Sequence, residues 1–437
     1  MDQLPTEVWN QILGFLIDDG ISIVRLSVCS QSLHQYITTN QFLWKKICKN
    51  KWKFPLQQNQ DSDDFRLEYE RRYALDARTR DLLDEMTGDL GDMLDYETGK
   101  KLSKDSPLIG QGWEHPSWQE ILSFRTELFD VLLDEARRSD KDNQLYPFLA
   151  ARCLQTIHLA ECLYTWMTLM QSASRNFDND PKKDALLLER FALLAVKVQQ
   201  TSRELMEEPN VSDQVCQKLD AIANKCQERF ADANDNMTKL DKLQVVNQIL
   251  FQEYGLQGNS EDYYNYRNSL LNHVLESKKG IPMTLCIIYT LICRRLDLIV
   301  YLVGLPGHVV LGVGDNDYYD LFNGGQQLLS VADCQRICAP FGGWSDEFLQ
   351  PLQAVDALHR ILNNLANAHT HHLGNPPEFH SDVWFQQRAL MLLHRTDPSA
   401  SLEVLGHTSR EEVLGHISRE LPLVLSVDLL RFYNLLD

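Results

Sequence analysis

No two of the ten cysteines stand at Cys-x-x-Cys spacing, so the sequence lacks the paired thiolates of a zinc finger or ribbon. A chain of 437 residues needs no disulfide staples, and the thiols are expected to be reduced, mostly buried, and in the cytoplasm or nucleus. Basic residues are scarce: 42 Lys and Arg stand against 61 Asp and Glu, a formal charge of -19 that repels nucleic acid and anionic lipid. Neither is expected as a partner. No apolar run is long enough for a bilayer; IPMTLCIIYTLIC at 281–293 falls short of the ~20 residues that a spanning helix needs. No basic segment leads into an apolar run at the start, which predicts a soluble protein that is not secreted. Also absent are a glycine-rich phosphate loop, a serine elbow and EF-hand spacing, so no cofactor and no metal ion are expected.

What is present is 44% apolar residues, enough to close cores in two or three domains. Near the start, Leu4, Val8, Ile12 and Leu16 recur every four residues with Trp9 and Leu13 beside them, an apolar helical stripe whose first turn accepts Pro5. IVRLSVCSQSLHQYI and TTNQFLWKKICKNKW read as two more short helices, with Asn40 as a cap. Three helices in about fifty residues bury little surface alone, which predicts that apolar area is left for a partner.

The reading divides the chain at 1–50, 51–145, 146–350 and 351–437. RLEYERRYALDARTRDLLDEM is a helix candidate, and the mixed run TGDLGDMLDYETGKKLSKDSPLIGQGWEHPSW reads as a long loop within the connector. From 146, dense apolar helical patterns lead to a change of character near 240. GIPMTLCIIYTLICRRLDL reads as a buried helix entered tightly at Gly280, and VYLVGLPGHVVLGVG and DNDYYDLFNGGQQLLS read as strands joined by turns. Helices on a small antiparallel sheet make this segment α+β. Beyond 351, DALHRILNNLANAH and SDVWFQQRALMLLHR return to helical period. A tandem nonamer, EVLGHTSRE and EVLGHISRE at 403–420, reads as a local duplication in a helical tail. In HTHH, His369 and His372 share a helical face, but nothing supplies further ligands, and a solvated helix end is the preferred reading.

Three residues raise the question of thiol chemistry. Such catalysis needs a cysteine at a helix N-terminus, a histidine base and a carboxylate that orients it. Cys286, His308 and Asp320 occur in the order helix, strand, strand. Each has a second reading. Cys286 lies between Leu285 and Ile287, and apolar surroundings make a thiol inert. His308 follows Pro306 and Gly307 and could be a structural hydrogen-bonding group. Asp320, beside Asn323 and Gly324, could order a turn. A third possibility is a cleft that binds peptide without reacting with it.

Leu4-Pro5, Ile12, Leu13, Leu16, Leu26-Ser27-Val28-Cys29 and Phe42-Leu43-Trp44-Lys45 together resemble an F-box. EDYYNYRNSLLNHVLESKKGIPMTL, LPGHVVL and DLFNGGQQLLS resemble the SirB-type branch of the transglutaminase-like superfamily, over about 185 to 369. In that order, the two are similar to the F-box only protein 21 family. The resemblance implies a mainly α chain: an N-terminal three-helix F-box, an α+β transglutaminase-like domain and a helical C-terminal region. It implies docking on a Skp-family adaptor, and through it on cullin and RING subunits, with a protein substrate presented for ubiquitination. Adaptor contact is then assigned to Leu4, Pro5, Val8, Ile12, Leu13, Leu16, Leu26, Leu43 and Trp44. The position where a working transglutaminase-like enzyme has its cysteine falls on or beside Pro282, and the remnant triad reads Pro282, His308, Asp320. Cys286 lies four residues further, about one helical turn or 5–6 Å from the positive helix end. The expectation is a receptor subunit and not an enzyme, with a cysteine-dependent amide hydrolase or transferase as the alternative.

Overall fold

The computed structural model of the chain describes residues 6–16, 20–52, 64–98, 115–138, 145–175, 180–233, 237–314, 316–325 and 327–372. Leu4, Pro5, the nonamer at 403–420 and the helical pattern at 381–395 lie outside these residues. So do the side chains of His369, His371 and His372. The chain divides into two compact units between His158 and Leu159.

In the first unit, four short helices precede a long one: α1 (Thr6–Phe15), α2 (Gly20–Ser27), α3 (Gln31–Thr39), α4 (Gln41–Lys51) and α5 (Phe65–Thr98). The stretch read as one helix from Ile23 to Ile37 is two helices. The hydroxyl of Ser30 accepts the Leu33 N–H at 3.1 Å and starts α3 afresh. Asn40 does the same for α4, with its Oδ1 3.0 Å from the Leu43 N–H. Leu13, Ile23, Leu33, Ile37, Leu43, Trp44 and Ile47 form one core, and Trp52 and Tyr69 complete it. Trp44 donates to the Ile37 carbonyl at 2.8 Å, and its ring stands 5.2 Å from that of Tyr69. The first fifty residues therefore do not close alone; α5 supplies the ring that seals them. That helix also runs past Met86, where a loop was expected, through Gly88 and Gly91 to Thr98. Each glycine costs a helix about 1 kcal/mol but removes no backbone donor, and no proline interrupts the run. α6 (Pro116–Phe124) and α7 (Phe129–Ala136) follow, and the division between units falls inside α8 (Leu145–Arg175).

The second unit is built around one buried helix. Its helices are α9 (Pro181–Val198), α10 (Ser202–Glu207), α11 (Val211–Asp232), α12 (Lys239–Asn247), α13 (Leu271–Ser277), α14 (Pro282–Arg295), α15 (Val331–Cys338) and α16 (Ala354–His372). Every residue of α14 from Pro282 to Cys293 is buried, among α9, α11 and α16 and against the sheet. Its last turn surfaces through Arg294 and Arg295, which both reach the buried carboxylate of Glu189; the Arg295 contact is 2.6 Å. Strands β3 (Tyr301–Val303), β4 (Val310–Gly312), β5 (Tyr318–Tyr319) and β6 (Leu328–Leu329) form an antiparallel meander in chain order. A separate parallel pair, β1 (Gln257–Gly258) with β2 (Lys279–Gly280), leads directly into α14. The fit at Gly280 is close: a Cβ there would lie 3.0 Å from Val274 Cγ1 and 3.2 Å from Leu285 Cδ2. The mainly helical architecture with an α+β unit is as the sequence indicated. Among the described residues no helix is long and apolar enough to cross a membrane.

Candidate functional site

The start of α14 is where a thiol enzyme of this architecture would hold its nucleophile. Pro282 occupies the first helical position, after Ile281, and no side chain caps the helix. Proline suits this position because the missing N–H has no helical partner anyway. It offers no nucleophilic atom.

His308 lies in the turn between β3 and β4 and Asp320 just past the end of β5, so the two flank strands and are not on them as the sequence order suggested. Leu305 to His308 form a turn, closed by the His308 N–H on the Leu305 carbonyl at 3.2 Å, with Gly307 at φ +70°. Arg360, on α16, pins this turn through three carbonyls: Gly304 at 3.0 Å, Leu305 at 3.3 Å and His308 at 3.4 Å. Burial pulls the Arg360 pKa down, yet the guanidinium stays charged far above neutrality.

β4 and β5 pair with Leu311 opposite Tyr319 and Gly312 opposite Tyr318. Continuing that register puts Asp320 opposite Val310, so Asp320 and His308 are diagonal neighbours on one face. Asp320 Oδ1 lies 3.1 Å from His308 Nε2. Nε2 makes no aligned hydrogen bond, so the pair is a close polar contact. Asp320 also orders a turn: Oδ1 accepts the Phe322 N–H at 3.1 Å and Oδ2 accepts the Asn323 amide at 2.8 Å. Both of its sequence readings therefore describe one residue. Burial works against its charge, but the contacts with His308, Asn323 and the Phe322 N–H outweigh burial and hold the carboxyl below its usual range.

Cys286 sits one turn inside α14, fully buried, with Sγ 3.9 Å from the Val309 carbonyl. Burial, and secondarily the charge of Asp320, push its thiol well above its ordinary pKa. The thiol thus faces the histidine-bearing segment but is electrically unsuited to ionise. A cavity of about 200 Å³ lies at the far end of α14, bordered by Thr290, Arg294 and the start of α9, and includes none of these residues. Among the described residues no three His, Cys, Asp or Glu side chains converge as metal ligands.

The residues expected to touch an adaptor divide into two sets. Val8, Ile12, Leu16 and Leu26 are half-buried. Leu13, Leu43 and Trp44 are interior, and this corrects their expected place at the surface: their apolar faces are taken by the module's own core and by Tyr69. The large apolar side chains of the module most exposed among the described residues are Phe15, Val28 and Phe42, at 87%, 81% and 79%. Neither Phe15 nor Arg360 was singled out in the sequence, because helical period marks apolar positions without saying which are covered.

Comparison with known proteins identifies the two parts. A model of the transglutaminase-like superfamily matches residues 213–363, and an F-box-like model matches residues 1–50. The chain thus carries one stretch similar to F-box-like modules and, after it, one similar to the transglutaminase-like superfamily. These matches support the F-box only protein 21 family. The human F-box only protein 21 is 31% identical over 106 residues, covering 22% of this chain and 17% of that protein. The mouse protein is 30% identical over the same length. A UPF0162 protein of Xylella fastidiosa is 35% identical over 133 residues, covering 28% of this chain and 47% of its own. The chain thus spans less than half the length of these curated relatives. No solved structure matches.

Proposed function

We propose that this chain is the substrate-recognition subunit of a Skp–cullin–F-box ubiquitin ligase, acting in the cytoplasm or nucleus. The F-box-like module docks on a Skp-family adaptor, and through it on cullin and RING subunits. The transglutaminase-like domain holds a protein substrate and performs no covalent chemistry. The observation that carries this reading is the set of exposed apolar side chains, Phe15, Val28 and Phe42, on a module that matches the F-box-like family. Large apolar side chains left in water cost free energy that a partner surface recovers, about 25 cal/mol per Å² buried. Pro282 at the helix start and the raised pKa of the buried Cys286 thiol support the reading that the domain performs no covalent chemistry.

The test is capture of a purified Skp-type adaptor by the full chain. Phe15→Asp with Phe42→Asp should abolish capture while the thermal midpoint stays near that of the parent. Retained capture by that folded double variant would refute the docking face.

The surviving His308–Asp320 pair favours a second reading, a cysteine-dependent amide hydrolase or transferase that uses Cys286. It requires turnover of a glutamine-containing peptide by the purified chain and loss of that turnover in Cys286→Ala.

A further inference from the structure

An open hollow of about 280 Å³ lies between α11 and the segment that follows α12, and it includes none of Pro282, Cys286, His308 and Asp320. Ala221, Ile222 and Ile249 line it with apolar atoms, and Lys218, Lys225, Glu253 and Tyr254 complete the lining. Small-molecule and cofactor sites run to about 300–1,000 Å³, so this hollow suits one or two side chains of a peptide better than a cofactor.

The segment packed against α11 here is a π turn, Gln248–Glu253, closed by the Tyr254 N–H on the Ile249 carbonyl at 2.7 Å. Such turns are rare and recur at functional sites. This one brings Ile249, Glu253 and Tyr254 together on the hollow.

Positive charge is in excess there. Glu253 is taken by Lys225 at 2.6 Å and by Arg229 at 2.9 Å. Lys278 stands 3.1 Å from the centre of the Tyr254 ring and donates to the Leu275 carbonyl at 2.6 Å. Among the described residues, neither Lys218 nor Lys278 has a carboxylate within ion-pair distance. Burial first, and then the charge of Lys218, pull the Lys278 ammonium below its usual range, with Glu276 acting the other way, so the two lysines share one field. On a chain of net charge -19 this cluster runs against the prevailing sign.

Lysines beside an apolar hollow are complementary to carboxylates that flank an aliphatic side chain. Nucleic acid offers no aliphatic side chain and is repelled by the net charge. A phosphate is served best by the two-pronged guanidinium, and Arg229 is already on Glu253. We propose that Lys218, Lys278 and the hollow beside Tyr254 bind an acidic peptide segment in which glutamate or aspartate flanks an aliphatic residue. This rests on the reading of the domain as a substrate receptor and names the substrate class. The aliphatic residue enters beside Ile222 and Ile249, and the carboxylates meet the lysines, so binding weakens with salt.

The experiment is fluorescence anisotropy of the full chain with three labelled peptides: Gly-Ser-Glu-Leu-Glu-Ser-Gly, the same with glutamine for glutamate, and the same with serine for leucine. The first should bind saturably and the other two at least about fivefold more weakly, the factor expected from two exposed ion pairs or one partly buried aliphatic side chain. Lys218→Glu should lose at least as much for the first peptide, and Ala221→Phe, an exposed helix position on the hollow, should block it without changing the charge. Lys182→Glu, which alters the net charge equally but lies outside the hollow, should bind as the parent does. Equal binding of the glutamine peptide, unchanged binding by Lys218→Glu or Ala221→Phe, or an equal loss in Lys182→Glu would overturn the proposal. Adaptor capture keeps the two ideas apart. Capture that persists in Lys218→Glu while peptide binding is lost supports the acidic-segment site, whereas a parent chain that captures no adaptor refutes the receptor reading and leaves the peptide result standing.

Discussion

Asp320 stands 3.1 Å from His308 while both of its oxygens are already engaged, one by the Phe322 N–H and the other by Asn323. One carboxylate therefore shapes a turn and fixes the charge beside the histidine. The helix that this pair accompanies begins at Pro282, which carries no nucleophilic atom.

The sign of its titration follows from those contacts. Burial raises the pKa, and the hydrogen bonds and His308 lower it by more, so the folded value lies below the unfolded value of about 3.9. Stability from this group is complete above the unfolded value and is lost as pH falls through the folded one. Asp320→Asn should lower the unfolding free energy from urea titration at pH 7 by about 1.5–3 kcal/mol, the range for hydrogen bonds to a charged group. The gap between variant and parent should close as pH drops from 5 towards 2.5. A gap that stays constant across that range would assign the loss to packing and not to charge.

Stability and docking should separate within α1. Leu13 is fully buried in the core with Trp44 and Tyr69, whereas Phe15, two residues on, is 87% exposed. Leu13→Ala should cost about 2–5 kcal/mol in denaturant unfolding, the range for a large core residue. Phe15→Ala should stay within about 0.5 kcal/mol of the parent, as surface changes do. Comparable losses from both would show that Phe15 is part of the fold.

Much of this architecture was legible in the sequence, and the parts that were not share a cause. The apolar period marked the helices, and LPGHVVL and DLFNGG marked the turns that place His308 and Asp320. What covers an apolar face is a long-range matter. Tyr69 packs so closely on Gly20 that a Cβ there would lie 2.4 Å from the phenol oxygen, and nothing local to either residue announces that contact. The same holds for Phe322 against Gly258 and for Arg360 beneath the His308 turn. Glycine was also misleading in the other direction, since Gly88 and Gly91 read as punctuation yet lie inside α5.

The thiols offer a direct comparison of burial. Cys286 is fully buried with its pKa pushed well up, whereas Cys29 is exposed. Only thiolate reacts with iodoacetamide, and only where reagent can reach it. Brief treatment of the native chain at pH 7.5, read by peptide mass spectrometry, should modify Cys29 and leave Cys286 untouched until denaturant is added. Rapid native labelling of Cys286 would revive the enzyme reading.

Arg360 offers the sharpest test of how His308 is held. Its guanidinium serves the carbonyls of Gly304, Leu305 and His308 from α16, a fork that a lysine ammonium on a single stem does not reproduce. Arg360→Met removes the guanidinium donor from all three carbonyls, of which Leu305 keeps the His308 N–H, and should cost about 1–3 kcal/mol. The loss should be local as well as global, because β4 to β6 keep their own ladder hydrogen bonds. Hydrogen exchange should therefore quicken at residues 304–309 more than at 318–329, and Arg360→Lys should fall between the parent and the methionine variant. Uniform acceleration across both segments would mean that Arg360 supports the domain as a whole and has no particular hold on the histidine turn.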